Sequence, residues 1–232
     1  MGIPVERYSK ITDKNNREIC LLRAFPCAWG KCTFCDYIED NGHDEAAMIS
    51  LNKSILDQVT GEFGVLEVIN SGSCFELPKE TLNQIEQVIR EKNINKLFFE
   101  AHWIYKNRLA EMRKRMPVPI VFKIGVETFD HDFRESVLNK HADFKNPEEV
   151  ARYFDSPCLM VGIQGQTKEM ISRDIEYLKK YFKLGTVNVY NNNTTKIRRD
   201  EELVKWFMKE YQWLLDDPSV EVLYEITDFG VG

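Results

Sequence analysis

Three cysteines, Cys27, Cys32 and Cys35, stand in the segment Phe25-Pro26-Cys27-Ala28-Trp29-Gly30-Lys31-Cys32-Thr33-Phe34-Cys35-Asp36-Tyr37 with the spacing C-x4-C-x2-C. Thiolates gathered in this way hold metal. With no fourth cysteine in the loop and no histidine before His43, they are one ligand short of a closed tetrahedral zinc site. They suit an iron–sulfur cluster in which one iron keeps an open position, and that iron is where chemistry can take place. The apolar run 19–24 just before the loop reads as a short buried strand, which delivers the thiols to a site.

The rest of the composition narrows the class. At 232 residues and 43% hydrophobic content the chain can bury a full core, and one domain over 1–232 is expected. A net charge of -6, from 31 basic against 37 acidic residues, argues against a broad basic groove, so a small-molecule substrate and no stable nucleic-acid partner are expected. The first ten residues lack the apolar core of a signal peptide, and no apolar stretch is long enough to span a bilayer, so a cytoplasmic protein with no membrane association is expected. Its six cysteines then read as reduced thiols rather than disulfides. Cys20 and Cys158 lie in apolar runs and read as small core residues, whereas Cys74 follows a Ser-Gly-Ser turn and reads as either a buried loop thiol or one facing the site.

The elements that must position the thiols alternate. Apolar runs at 18–23, 65–70, 96–100, 120–127, 158–164 and 187–190, with a further one at 220–226, read as strands; stretches of helical periodicity fill 44–63, 78–92, 106–115, 132–139, 167–182 and 200–215. This order predicts an α/β fold, a partial (β/α)6 TIM-like barrel with the site at the carboxyl ends of the strands, where loops converge and helix amino termini present N–H groups. Each expected strand end is polar. After the cysteines come Asn70-Ser71-Gly72-Ser73, Glu100-Ala101-His102-Trp103, Gly125-Val126-Glu127, Gly162-Ile163-Gln164-Gly165-Gln166 and Tyr190-Asn191-Asn192-Asn193. The polar run 191–200, with Lys196, Arg198 and Arg199, reads as a solvated loop.

The Cys loop, with the aromatic Phe34 directly before its last cysteine, resembles the cluster motif of radical S-adenosylmethionine enzymes, whose usual spacing is C-x3-C-x2-C. Other segments resemble the same superfamily, especially the branch of coproporphyrinogen dehydrogenase and the elongator catalytic subunit. The resemblance implies a 4Fe-4S cluster on Cys27, Cys32 and Cys35, and S-adenosylmethionine as cosubstrate. It implies that Ser71, Gly72 and Ser73 form the turn against the methionine amino group. Glu127, with Lys140 downstream, would hold the ribose and carboxylate, and Ile163 and Gln164 with the Phe34 backbone would contact the adenine. It further implies reductive cleavage to methionine and a 5′-deoxyadenosyl radical, with electrons from an external reductant such as flavodoxin or ferredoxin. A closed chamber is then required, for which Trp29, Phe75, Trp103 and Phe229 are candidate walls.

The short length, the Cys loop, the Val161-Gly162-Ile163-Gln164-Gly165-Gln166-Thr167 turn and the Thr227-Asp228-Phe229-Gly230-Val231-Gly232 segment are similar to the bacterial queuine lyases of queuosine salvage. That similarity implies queuine, or a related deazapurine, as substrate and 7-aminomethyl-7-deazaguanine as product. A guanine-like edge needs acids and amides, for which Glu76, Glu100, Asp228, Asn70, Asn188 and Asn191 are candidates; His102 is a candidate general acid or base, and Cys74 a candidate hydrogen donor to the product radical. Two alternatives stay open on the residues. One is a relative acting on another small metabolite or on tRNA; the other is a structural zinc protein drawing a fourth ligand from Cys20 or His43.

Overall fold

The computed structural model describes residues 6–225, 228, 230 and 231. Its elements in chain order are β1 (Tyr8–Ile11), β2 (Arg17–Leu22), α1 (Glu45–Leu56), β3 (Val65–Asn70), α2 (Lys79–Glu91), β4 (Lys96–Glu100), α3 (Leu109–Arg115), β5 (Ile120–Glu127), α4 (Pro147–Ala151), β6 (Ser156–Val161), α5 (Lys168–Tyr181), β7 (Gly185–Val189), α6 (Glu201–Glu210) and β8 (Val220–Leu223). The strands follow one another in chain order across the sheet. β1 joins β2 antiparallel, while β2–β3, β3–β4, β5–β6, β6–β7 and β7–β8 are parallel. This is the α/β topology of a partial (β/α)6 barrel, with an antiparallel strand added at its start. No helix among the described residues is long and apolar enough to cross a membrane.

The chain divides into two compact units. One takes the described residues within 1–30, 37–122 and 229–232, and the other those within 31–36 and 123–228. In the first, parallel register sets Leu22 beside Asn70 and Val68 beside Phe99, so the loops after β2, β3 and β4 leave from one edge. In the second, Glu127 pairs with Leu159 and Val161 with Val189, which aligns the ends of β5, β6 and β7 in the same way.

Every residue of β2 is buried, including two charges, as a strand covered on both faces requires. Arg17 is neutralised by Glu67, and the Glu18 carboxylate accepts from the Tyr8 hydroxyl (2.6 Å) and the Thr60 and Gly61 N–H groups (both 2.7 Å). Those last two bonds explain why α1 stops at Leu56, short of the expected 63: the chain beyond it is committed to the Glu18 carboxylate. Asn52 on α1 is fully buried and grips Arg23 at both its N–H and its C=O (2.8 Å each), which fixes how β2 passes into the cysteine loop.

In the second unit, the residues expected as a helix over 132–139 form one wide turn, Phe133–Val137, because Arg134 is drawn fully inside to the carbonyls of Thr128, Ala142 and Phe144. α4, unexpected from the sequence, starts with Asn146 accepting from the Glu149 N–H and Pro147 in the first turn. The strands expected at 158–164 and 187–190 each begin two residues earlier and end earlier. Of the strand expected over 220–226, Val220–Leu223 forms; Ile226 lies outside the described residues, as do Thr227, Phe229 and Gly232.

Asp174 on α5 is 1% exposed and accepts from the Phe129 N–H at 2.8 Å, just beyond the end of β5. Burial pushes its carboxyl up from the ordinary 3.8 to about 7. The folded state therefore holds this proton more tightly than the unfolded chain. Its contribution to stability is complete below the ordinary aspartate range and drains as pH rises through about 7. Urea unfolding of the native sequence and Asp174→Asn between pH 4 and 7.5 should show stability falling with pH in the former and a flatter profile in the latter. Parallel profiles would contradict the assignment.

Candidate active site

In the first unit the loop after β2 is bound to the turn after β3. Glu76 closes a capping box on Ser73, its carboxylate accepting from the Ser73 N–H, from the Ala28 N–H (3.2 Å) and from the Tyr105 hydroxyl (2.7 Å). The Phe25 N–H donates to the Glu76 carbonyl at 3.0 Å. Cys27 lies against Gly72: a Cβ at position 72 would stand 3.4 Å from the Cys27 Cα and Cβ and 3.1 Å from the Glu76 Oε2. Burial, then Glu76, pushes the Tyr105 phenol up, so it stays a donor. The Ser71 hydroxyl is buried and has no hydrogen-bond partner. Asn70 spends its amide on the Ser73 carbonyl (3.0 Å). The His102 N–H donates to the Ser73 hydroxyl (2.8 Å), and its Nδ1 accepts from the Ile104 N–H (3.3 Å). Glu100 and His102 are half-buried at the end of β4. Trp103 is packed at 2% exposure with the Lys106 ammonium 4.1 Å over its ring, and Phe75 stacks on Tyr105 at 4.6 Å.

The second unit carries the rest of the loop. Lys140 and Glu127 form a buried ion pair at 2.6 Å. Burial alone would lower the Lys140 ammonium; Glu127, then Cys32, with Cys35 adding to it, hold it well above its ordinary range. The ammonium also lies 5.5 Å over the Phe34 ring. Glu127 sits at a register shift in β5 with φ 64, in the left-handed region that non-glycine residues rarely adopt. A Cβ on Gly125 would come within 2.5 Å of Glu127 Oε1 and 2.7 Å of Lys140 Nζ, so only glycine leaves room for the pair. Phe34 packs against Phe133, Leu138, Met160, Ile163 and Tyr190. Its carbonyl accepts from Asn193 (2.7 Å), while Asp36 accepts from the Thr194 N–H and hydroxyl (both 3.2 Å). The loop is thus stitched to 191–195, a run that reads from sequence only as solvated.

Several candidate roles change with these positions. Glu76, expected to meet substrate, is turned to backbone donors. Asp228 is exposed and accepts from the Tyr224 and Glu225 N–H groups, closing a turn. Asn191 bonds the Tyr224 carbonyl (3.0 Å) and accepts from Arg199 (2.6 Å). Gln164 is exposed; Gln166 instead braces the turn, accepting from the Ile163 N–H (3.0 Å) and donating to the Met160 carbonyl (2.8 Å). Cys74 is 0% exposed, with its thiol driven up by burial and Glu76. Asn188 remains half-buried on β7. Tyr105 and Asn193 carry no signal in the sequence, but Ser73-Cys74-Phe75-Glu76 has the S-x-x-E form of a capping box and could have revealed the place of Glu76.

None of the six cysteines is in a disulfide. Among the described residues no three His, Cys, Asp or Glu side chains converge closely enough to hold a single metal ion. Three thiols that can each bind a separate iron are the donor chemistry of an iron–sulfur cluster, and a cation stands beside two of them. Cys20, the alternative fourth zinc ligand, is fully buried in β2 with its thiol driven up by burial and Glu18, and His43 is exposed. The unpartnered Ser71 hydroxyl and the close approach at Gly72 fit a small polar ligand beside Cys27.

A queuine lyase from Clostridium spiroforme, solved bound to S-adenosylmethionine and queuine, matches with 54% identity and a TM-score of 0.96, over 98% of this chain and 99% of that one. The radical S-adenosylmethionine methyltransferase TsrM of Kitasatospora setae is a remote neighbour at 11% identity and TM-score 0.47, over 73% of this chain and 35% of its own. An uncharacterized protein of Methanocaldococcus jannaschii is 26% identical over 181 residues, 69% of this chain; the chain spans 42% of the length of that relative. No protein-family model matches the chain.

The Glu127–Lys140 pair gives a direct test of the second group. Lys140→Met leaves a buried carboxylate without its cation and should cost about 3–5 kcal/mol of stability in urea. Adding Glu127→Gln should recover most of that loss. A single variant as stable as the native chain would show that the pair is not coupled.

Proposed function

The chain belongs to the queuine lyase family of radical S-adenosylmethionine enzymes, and from that premise we propose that it cleaves queuine, releasing 7-aminomethyl-7-deazaguanine. The observation that carries this reading is identity of 54% over nearly the full length of both chains with a queuine lyase bound to S-adenosylmethionine and queuine.

Cys27, Cys32 and Cys35 hold a 4Fe-4S cluster, and Cys20, Cys74 and Cys158, all buried, remain structural. Bound there, the cluster and S-adenosylmethionine supply reductive cleavage of the sulfonium to methionine and a 5′-deoxyadenosyl radical. Around that chemistry the chain binds and orients. The turn Ser71-Gly72-Ser73 offers its hydroxyl and close backbone to the methionine amino group. Glu127 and Lys140 would hold the ribose hydroxyls and the methionine carboxylate. Phe34 and the Ile163 turn form the adenine wall, supported by Gln166 rather than by the exposed Gln164. Glu100, His102 and Asn188, half-buried polar groups at strand ends, read the edge of a deazaguanine in this proposal, with Trp103 as packed support. Holding substrate against the 5′ carbon and keeping other hydrogen donors away is the main contribution of the fold. The net charge of -6 favours a small substrate over tRNA, and electrons come from a low-potential donor such as flavodoxin or ferredoxin. Six cysteines without a disulfide suit a reducing cytoplasm.

Anaerobically reconstituted protein, given reductant, S-adenosylmethionine and queuine, should yield 5′-deoxyadenosine, methionine and the aminomethyl deazaguanine by mass spectrometry. Formation of 5′-deoxyadenosine with queuine left intact would overturn the substrate assignment.

A further inference from the structure

We infer that Glu76 is a positioning residue for Cys27, fixing the first thiol of a loop that carries four residues between its first two cysteines. The inference rests on the reading of Cys27, Cys32 and Cys35 as cluster ligands. One residue more than the usual motif adds two soft backbone dihedrals between Cys27 and Cys32, and with them freedom for the first thiol to wander. Glu76 removes that freedom from both sides. Its carboxylate takes the Ala28 N–H immediately after Cys27 (3.2 Å), and its carbonyl takes the Phe25 N–H two residues before it (3.0 Å). The same carboxylate is held in turn by the Ser73 N–H and the Tyr105 hydroxyl (2.7 Å), at 7% exposure. Asn41 completes the clamp: with its amide turned so that both ends are bonded, it accepts from the Cys27 N–H at 3.3 Å and donates to the Ser71 carbonyl at 2.8 Å. Both Glu76 oxygens thus accept from groups of the loop, the turn and the 103–108 segment. This geometry holds a ligand in place; it does not present an acid to a substrate edge.

The test compares native protein, Glu76→Ala, Glu76→Gln, Tyr105→Phe and Cys27→Ala after anaerobic reconstitution. It reads iron per chain after a chelator challenge and the electron paramagnetic resonance spectrum of the reduced cluster with and without S-adenosylmethionine, with thermal unfolding as a check on the fold. Loss of such a supporting contact typically costs 10–100-fold in metal affinity, and Glu76→Ala should show a loss in that range and an altered spectrum. Glu76→Gln should restore much of it, because an amide carbonyl still accepts from Ala28 and Tyr105. Tyr105→Phe, which removes one hydroxyl from a half-buried side chain, should move the spectrum in the same direction by less, and it keeps the test decisive if Glu76→Ala does not fold. Native-like iron retention and spectra in both Glu76→Ala and Tyr105→Phe, with Cys27→Ala defective, would overturn the role of Glu76 and leave the cluster reading standing. Failure of the native protein to load iron would overturn both.

Discussion

A carboxylate and an ammonium 2.6 Å apart, almost wholly withdrawn from water, set the terms for the candidate site: Glu127 and Lys140. Burying two charges is costly, and mutual attraction repays it only when geometry is held tightly. The chain meets that condition with several local sacrifices. Gly125 gives up a side chain, Glu127 accepts a left-handed backbone, and Asn139 and His141 on either side of Lys140 do the same with φ 49 and 54. Strained positions of this kind persist where surrounding structure over-determines them, and they gather at functional sites. The pair also brings a cation beside Cys32 and Cys35.

The cysteine loop is secured by different physics at its two ends. Around Cys27 the restraint is hydrogen bonding, with backbone N–H groups ending on Glu76. Around Cys32 and Cys35 it is charge and packing: the Lys140 ammonium, the Phe34 ring in its apolar cluster, and Asn193 and Thr194 on the backbone and side chain that follow.

Much of this was legible in the sequence. The parallel strands show as apolar runs because strands covered on both faces must be apolar, and their polar ends stand out against them. The spacing of Cys27, Cys32 and Cys35 suggests a metal site, and resemblance pairs Glu127 with Lys140, which the fold brings together as an ion pair. What escaped are features made by tertiary contact. β1 is four half-exposed residues and gains its identity only by pairing with β2. Arg134 sits in a segment with helical periodicity, yet its guanidinium, fully buried and bonded to three carbonyls, forces a single wide turn. Glu76, Asn191 and Asp228 look like substrate acids and amides by type and place; in the fold the Glu76 and Asp228 carboxylates are taken by backbone N–H groups, and Asn191 by the Tyr224 carbonyl and the Arg199 guanidinium. The reverse holds for Gln166, whose neighbour Gln164 is the same residue type two positions away and faces solvent.

On the proposed reading, three thiols of one loop, and no others, hold an iron–sulfur cluster. Anomalous diffraction at the iron edge, from crystals grown anaerobically with reconstituted protein and S-adenosylmethionine, tests it most directly. Iron density bonded to Cys27, Cys32 and Cys35, and to no fourth cysteine, is the expected result. A single zinc ion in its place, or iron bound through Cys20, Cys74 or His43, would contradict it.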